Sequence, residues 1–293
     1  MKPGRFTYHA PRELDEALAM LHEYGDEAKV LAGGQSLMPM LNFRLAQIEH
    51  LVDINRLGDE LSEVGWAADT VAIPALVRQR HVERSTRVAE SLPILAEALG
   101  QVAHPQIRNR GTICGSLAHA DPAAELPSVM SVLDATFTIA SSRGTRTVPV
   151  DEFFQFHLTT AIEPDELLLR VRVNLPGPGT FGVFREFATR RGDFALAGVA
   201  ALCRLDGAGV VTACRLAAAG VSSTPHRLQT VEEMLVGQRL ADTVLREAEH
   251  LAHDEVDPTG DIHASAAYRQ RLTGVLVKRA LTEVRAQQEV SHA

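Results

Sequence analysis

Two stretches of small residues set the chemistry open to this sequence. In Lys29-Val-Leu-Ala-Gly-Gly-Gln-Ser36 a short apolar run, which reads as a buried strand, meets a Gly-Gly turn. A short helix over Leu37–Arg44 and a second strand over His50–Ile54 follow. Strand, glycine turn and helix is an arrangement that presents backbone N–H groups to a diphosphate. It is neither a Walker loop, because no Gly-Lys-Ser/Thr follows, nor a Rossmann fingerprint, because Gly-x-Gly-x-x-Gly spacing is absent. The second stretch, Ile107-Arg-Asn-Arg-Gly-Thr-Ile-Cys-Gly-Ser-Leu-Ala-His-Ala120, crowds small and hydroxyl residues into what reads as a loop. Gly111, Cys114, Gly115, Ser116, Ala118 and Ala120 leave its backbone little covered, so a bulky anion could lie against it. Close packing of two elements would call for the same small residues. Two such stretches far apart in the chain suggest one long ligand held between two subdomains.

The elements that must position these stretches are legible in outline. Pro11 opens a helix whose Leu14, Ala17, Leu18 and Leu21 share a face, and Tyr24-Gly25 ends it. Asp121-Pro122 predicts a helix start, Asp as N-cap and Pro at the first helical position, with Leu126, Val129, Met130 and Leu133 facing a core. Val64–Ile73 reads as paired strands about Asp69, Leu92–Leu99 as helix, and Ala135–Ala140 and Leu167–Val173 as strands. Leu175-Pro-Gly-Pro-Gly-Thr180 halts both helix and strand and marks a boundary. Beyond it, Phe194–Leu205 and Val210–Ala219 predict a hairpin about Asp206–Gly209. Val231–Leu235, Ala241–His250 and Ala266–Arg285 predict helices. The division expected is 1–57, an N-terminal α/β subdomain; 58–176, a second α/β subdomain; and 177–293, a C-terminal domain.

Composition excludes several function classes. A formal charge of −8 argues against a nucleic-acid surface, which needs a basic face. No apolar run approaches the length of a membrane span, and the first residues carry no apolar signal segment, so a cytoplasmic protein is expected. Three cysteines without C-x-x-C spacing cannot by themselves make a four-cysteine zinc or iron–sulfur site. Redox chemistry would therefore need an organic cofactor or another chain. His119, Asp121 and Glu125 match no common metal-ligand spacing.

Ala32-Gly-Gly-Gln-Ser36 together with Gly111-Thr-Ile-Cys-Gly-Ser116 resembles the FAD-binding medium subunit of molybdenum hydroxylases, the xanthine dehydrogenase and carbon monoxide dehydrogenase family. The resemblance extends through Arg185–Ala195 and the late Tyr268-Arg…Leu276-Val-Lys-Arg-Ala280, nearly the whole chain. It implies an α+β fold: a two-subdomain FAD-binding unit of the vanillyl-alcohol oxidase type, then a C-terminal domain of a small antiparallel sheet and helices. It implies FAD as cofactor, with molybdopterin and [2Fe-2S] clusters in partner subunits. The chain would take electrons from the small [2Fe-2S] subunit and pass them to NAD, a quinone, a cytochrome or oxygen. A large molybdopterin subunit would oxidise the substrate, within a dimer of heterotrimers. Two other readings stay open: a self-sufficient flavin oxidoreductase of the same fold, and a scaffold subunit that has lost flavin.

The resemblance also assigns residues. Leu31, Ala32, Gly33, Gly34, Gln35, Ser36 and Leu37 form the first cofactor-binding turn. Gln35 cannot make the covalent histidyl bond of some flavoproteins with this fold, so FAD is expected to be dissociable. Ser36 also stands at a plausible helix N-cap. Gly111, Thr112, Cys114, Gly115, Ser116, His119 and Asp121 form the second group, Thr112, Ser116 and Asp121 being set against the diphosphate and ribityl groups. Glu125 stands where relatives commonly have Asp and suits a cofactor hydroxyl or, equally, a helix dipole. Cys114 replaces a glycine; small size accounts for it better than a reactive thiol. Leu168 would supply a backbone contact, and Phe194 would shield the flavin ring or sit in a strand core. The lysine that relatives carry near Arg185-Glu186 is missing here. Arg108 and Arg110 flank the second stretch and leave three readings open: a phosphate contact, a partner contact, or a solvated arginine.

Overall fold

A computed structural model describes residues 2–291, which group into two compact units. Among these residues the first comprises 2–82, 104–120 and 135–174; the second comprises 83–103, 121–134 and 175–291. In the first, strands β1 (Thr7–His9), β2 (Ala28–Leu31) and β3 (His50–Asp53) form a parallel sheet with β3 central. Helix α1 (Leu14–Tyr24) covers it with the expected stripe: Ala17, Leu18 and Leu21 are buried against Val52 and Ile54. Burying each such leucine contributes about 1.5–3 kcal/mol. The helix starts three residues after Pro11, because Arg12 and Glu13 lie in a bend and Glu13 takes the cap position. Helix α2 (Leu37–Asn42) links β2 to β3.

A five-stranded antiparallel sheet completes this unit. Its members are β4 (Gly65–Trp66), β5 (Thr70–Pro74), β6 (Thr136–Ser141), β7 (Gly144–Pro149) and β10 (Leu167–Asn174), in the order β4-β5-β10-β6-β7. A small hairpin of β8 (Phe154–Phe156) and β9 (Thr159–Thr160) stands apart. Short helices α3 (Gln79–Glu83), α6 (Pro105–Arg108), α7 (Ile113–His119) and α9 (Val150–Phe153) fill the connections.

In the second unit β11 (Thr180–Phe187), β12 (Ala197–Leu205), β13 (Val211–Ala219) and β14 (His226–Arg227) form an antiparallel sheet. The β12–β13 hairpin falls where the sequence predicts it, although β12 begins at Ala197, leaving Phe194 in the loop before it. Val199, Ala201, Leu216 and Ala218 send one face into a dry core with α10 (Gln229–Leu235), α11 (Asp242–Glu255) and α12 (Ala266–Ser291). The last two helices run past their expected ends. The opposite sheet face meets α5 (Pro93–Gln101) and α8 (Glu125–Val132), while α4 (Thr86–Ser91) packs on α5. Leu126, Val129, Met130 and Leu133 are buried as predicted, but α8 starts at Glu125 and not at Asp121. Asp121 instead caps a turn, its carboxylate accepting from Ala123 N at 2.9 Å.

Candidate functional site: two glycine turns in backbone contact

Both glycine stretches lie in the first unit, and the fold brings them together. Strand β2 ends at Leu31, and Gly34 turns the chain at φ +71° before α2. A Cβ on Gly33 would stand 2.5 Å from Arg110 O and 2.7 Å from Gly111 Cα, so only glycine lets the two segments touch. The second stretch is not the loop expected from its composition. Thr112 caps helix α7, its Oγ1 accepting from Gly115 N at 3.0 Å, and buried Ile113 and Leu117 outweigh the poor helix propensity of the small residues.

The side chains divide into those aimed inward and those left for a ligand. Gln35 curls back to donate to Gly33 O at 3.0 Å. Ser36 occupies the N-cap position of α2 but makes no capping bond, which corrects the capping expectation. Cys114 is buried and its Sγ donates to Ile73 O at 3.3 Å; burial pushes the thiol up to about 12. Only its backbone is left to serve a cofactor, and it is no nucleophile. Leu168 lies beside an irregularity where β10 pairs with β6, its side chain buried. His119 ends α7. Gln79 is 4% exposed beneath Gly111, and its Oε1 is buried with no partner among the described residues.

One feature of this site is absent from the sequence reading. Asn55 Nδ2 donates to Ala32 O at 2.8 Å, and its Oδ1 accepts from Arg78 at 2.5 Å. The other arm of Arg78 donates to Arg110 O at 2.6 Å. Asp53 steadies Asn55, accepting from its backbone N at 2.9 Å and from Tyr8 Oη at 2.6 Å. Burial pushes the Asp53 carboxyl up, yet the hydrogen bonds from Tyr8 and Asn55 outweigh it and hold it below the usual range. A strap of side chains therefore joins the Ala32 turn to the Arg110 turn. The available signals were an arginine ending the apolar run Ala75-Leu-Val77 and an Asp-x-Asn turn after β3, neither diagnostic alone.

The remaining assigned residues belong to the second unit. Asp121 sits in the turn before α8, and Glu125 is the first residue of that helix, 8% exposed. Phe194 is 68% exposed, which rules out the strand-core reading. Glu186 lies beside Gly198 on β12 with Oε2 buried and unpartnered among the described residues. Burial pushes its carboxyl up to about 7. The cluster of metal-type ligands among the described residues, Glu27, Glu49 and His50, excludes His119, Asp121 and Glu125. No helix among them is long and apolar enough to cross a membrane.

A turn-to-turn cradle that a single Cβ would fill and an uncapped serine fit an elongated phosphate-bearing cofactor. Residues 4–176 match the family described as FAD binding domain in molybdopterin dehydrogenase, and residues 182–284 match the CO dehydrogenase flavoprotein C-terminal domain. The 6-hydroxypseudooxynicotine dehydrogenase complex subunit alpha of Paenarthrobacter nicotinovorans is 42% identical over 97% of this chain and 95% of its own length. The carbon monoxide dehydrogenase medium chain of Hydrogenophaga pseudoflava is 37% identical over 96% of this chain and 97% of its own length. A solved carbon monoxide dehydrogenase from the same organism matches with a TM-score of 0.94 at 38% identity, covering 98% of this chain and 99% of the matched one. Quinoline 2-oxidoreductase from Pseudomonas putida 86 matches at 0.93 and 37%, covering 98% and 99%. The chain thus belongs to the FAD-binding medium subunits of the molybdenum-hydroxylase oxidoreductases, the xanthine and carbon monoxide dehydrogenase family.

Proposed function

We propose that this chain is the electron-exit subunit of a molybdenum hydroxylase complex. It would hold FAD without a covalent bond, accept electrons from the [2Fe-2S] clusters of a small subunit, and deliver them to an external acceptor. A large molybdopterin subunit would oxidise the substrate, the three assembling in the cytoplasm as a dimer of heterotrimers. The observation that carries this reading is the close backbone approach of Gly33 to Arg110 and Gly111, which brings the two glycine turns together. Bound FAD supplies the reversible electron chemistry, and the protein supplies binding, orientation and electrostatics. The backbone N–H groups of Ala32–Leu37, with those of Thr112 and Cys114, would take the diphosphate, since Gly111, Ile113, Gly115 and Ser116 donate theirs within the fold. Ser36 and Thr112 would offer hydroxyls, and Gly111 and Gly115 would allow close approach. Leu31, Cys114 and Leu168 would contribute backbone only. His119, Asp121, Glu125 and Phe194 are assigned on the family resemblance. We read 1–57, 58–176 and 177–293 as the successive segments of this architecture. No acid–base dyad is required for such transfer.

The test is the visible absorbance of the purified chain before and after acid precipitation. Flavin bands, with FAD recovered in the supernatant, support the reading and show dissociable binding. Folded protein that neither carries nor takes up FAD overturns it in favour of a scaffold subunit. Substrate turnover by the chain alone would favour the self-sufficient oxidoreductase.

A further inference from the structure

Arg78 is a cation whose fold-supplied partners are all neutral. Its two hydrogen bonds go to an amide oxygen on Asn55 and a backbone carbonyl on Arg110, and no carboxylate touches it among the described residues. It stands in the bridge where Arg78 and Thr112 pair, directly at the second turn. The charge that acts on it most strongly is another cation: desolvation first, and then the charge of Arg110, hold the Arg78 guanidinium below its ordinary value, Asp53 opposing them. The Arg110 side chain is exposed and has no ion pair or hydrogen bond among the described residues. Two like charges gathered beside two glycine turns, one of them half-buried, oppose each other unless an anion joins them. Structural arginines do not need this arrangement, since a carboxylate within the fold would serve.

We infer that Arg78 and Arg110 form a two-arginine clamp for a diphosphate, Arg78 fixing the spacing of the two glycine turns through Asn55 while both guanidinium groups supply the countercharge. This rests on the flavin reading and deepens it, because it assigns the cofactor's charged middle to side chains as well as backbone. Asn55 acts as a positioning residue.

The full-length chain, stripped of flavin, is titrated with FAD, with riboflavin, which lacks phosphate, and with inorganic pyrophosphate. The clamp predicts that Arg110→Gln weakens FAD and pyrophosphate about tenfold or more, the scale of a charge-assisted contact, and leaves riboflavin unchanged. Arg110→Lys should restore most of the loss, and the salt dependence of FAD binding should flatten in Arg110→Gln. Arg78→Gln should lose more, because the strap goes with the charge. Arg110 is exposed, so its variants test the idea even if Arg78→Gln folds poorly. Unchanged FAD affinity in Arg110→Gln, or an equal loss for FAD and riboflavin, overturns the clamp. A wild-type chain that binds no FAD overturns the flavin reading and the clamp with it.

Discussion

Arg78 in the first unit and Arg269 in the second perform the same mechanical act: each guanidinium donates to neutral oxygens from two distant parts of the chain. Arg269, 7% exposed on α12, donates to Leu196 O at 2.5 Å and Gly220 O at 3.1 Å, holding the ends of β12 and β13. It also meets Asp261 at 2.7 Å. Arg78 has the bonds without the carboxylate. The difference separates two uses of a half-hidden cation. A structural arginine is neutralised by its own fold, whereas a binding arginine keeps its charge for a ligand. Glu186 is the acidic counterpart of Arg78, a buried carboxyl oxygen with no cation or donor beside it among the described residues.

The comparison can be broken most forcefully at Arg269. Arg269→Met should cost about 2–4 kcal/mol in denaturant unfolding, since two buried carbonyls lose their donor. The flavin content of the remaining folded protein should not change. If flavin is lost while stability is kept, Arg269 is no structural arginine and the contrast fails. Glu186 gives the next largest effect. With the folded-state carboxyl raised to about 7, folding favours its protonated form. That stabilisation is whole below the ordinary glutamate range and is lost as pH climbs through 7. Glu186→Gln should therefore gain stability over wild type between pH 5 and 8, on the order of 2 kcal/mol once partial solvent exposure is discounted. Parallel pH profiles for the two proteins would count against an orphaned carboxyl.

Asp261→Asn is the smallest and sharpest change, because it gives Arg269 the neutral surroundings of Arg78. The Asp261 carboxyl is held down to about 2, chiefly by the N–H groups of Ala264 and His263 and then by Arg269. Its contribution is present above the ordinary aspartate range and is lost as pH falls through about 2. The variant should be slightly less stable at neutral pH and should lose the acid-side decline belonging to this group. It should gain no affinity for pyrophosphate. Acquired pyrophosphate binding would mean that any unpaired arginine suffices, and the two-arginine clamp would lose its specificity.

How much of this was legible in the sequence depended on the distance over which each feature is determined. The α1 stripe, the β12–β13 hairpin and the two glycine stretches are local patterns, and the structure contains them all. Helix α7 was missed because glycine, serine and cysteine score poorly as helix formers, and its stability comes from a Thr112 cap and buried Ile113 and Leu117. The Asn55–Arg78 strap was invisible because it exists only after β3, β5 and the Arg110 turn are brought together. Nor does periodicity show that α4, α5 and α8, flanked in sequence by the first unit, pack in the second.

Cysteines 114, 203 and 214 are all buried free thiols, one in the first unit and a cross-strand pair in the second, with Sγ atoms 3.1 Å apart. None can meet a thiol reagent until the surrounding structure opens. The chain therefore carries two internal clocks, and the rates at which a thiol-specific dye labels Cys114 and the Cys203–Cys214 pair report the opening of each unit separately. A cofactor seated on the Gly33 and Gly111 turns should slow the first clock more than the second.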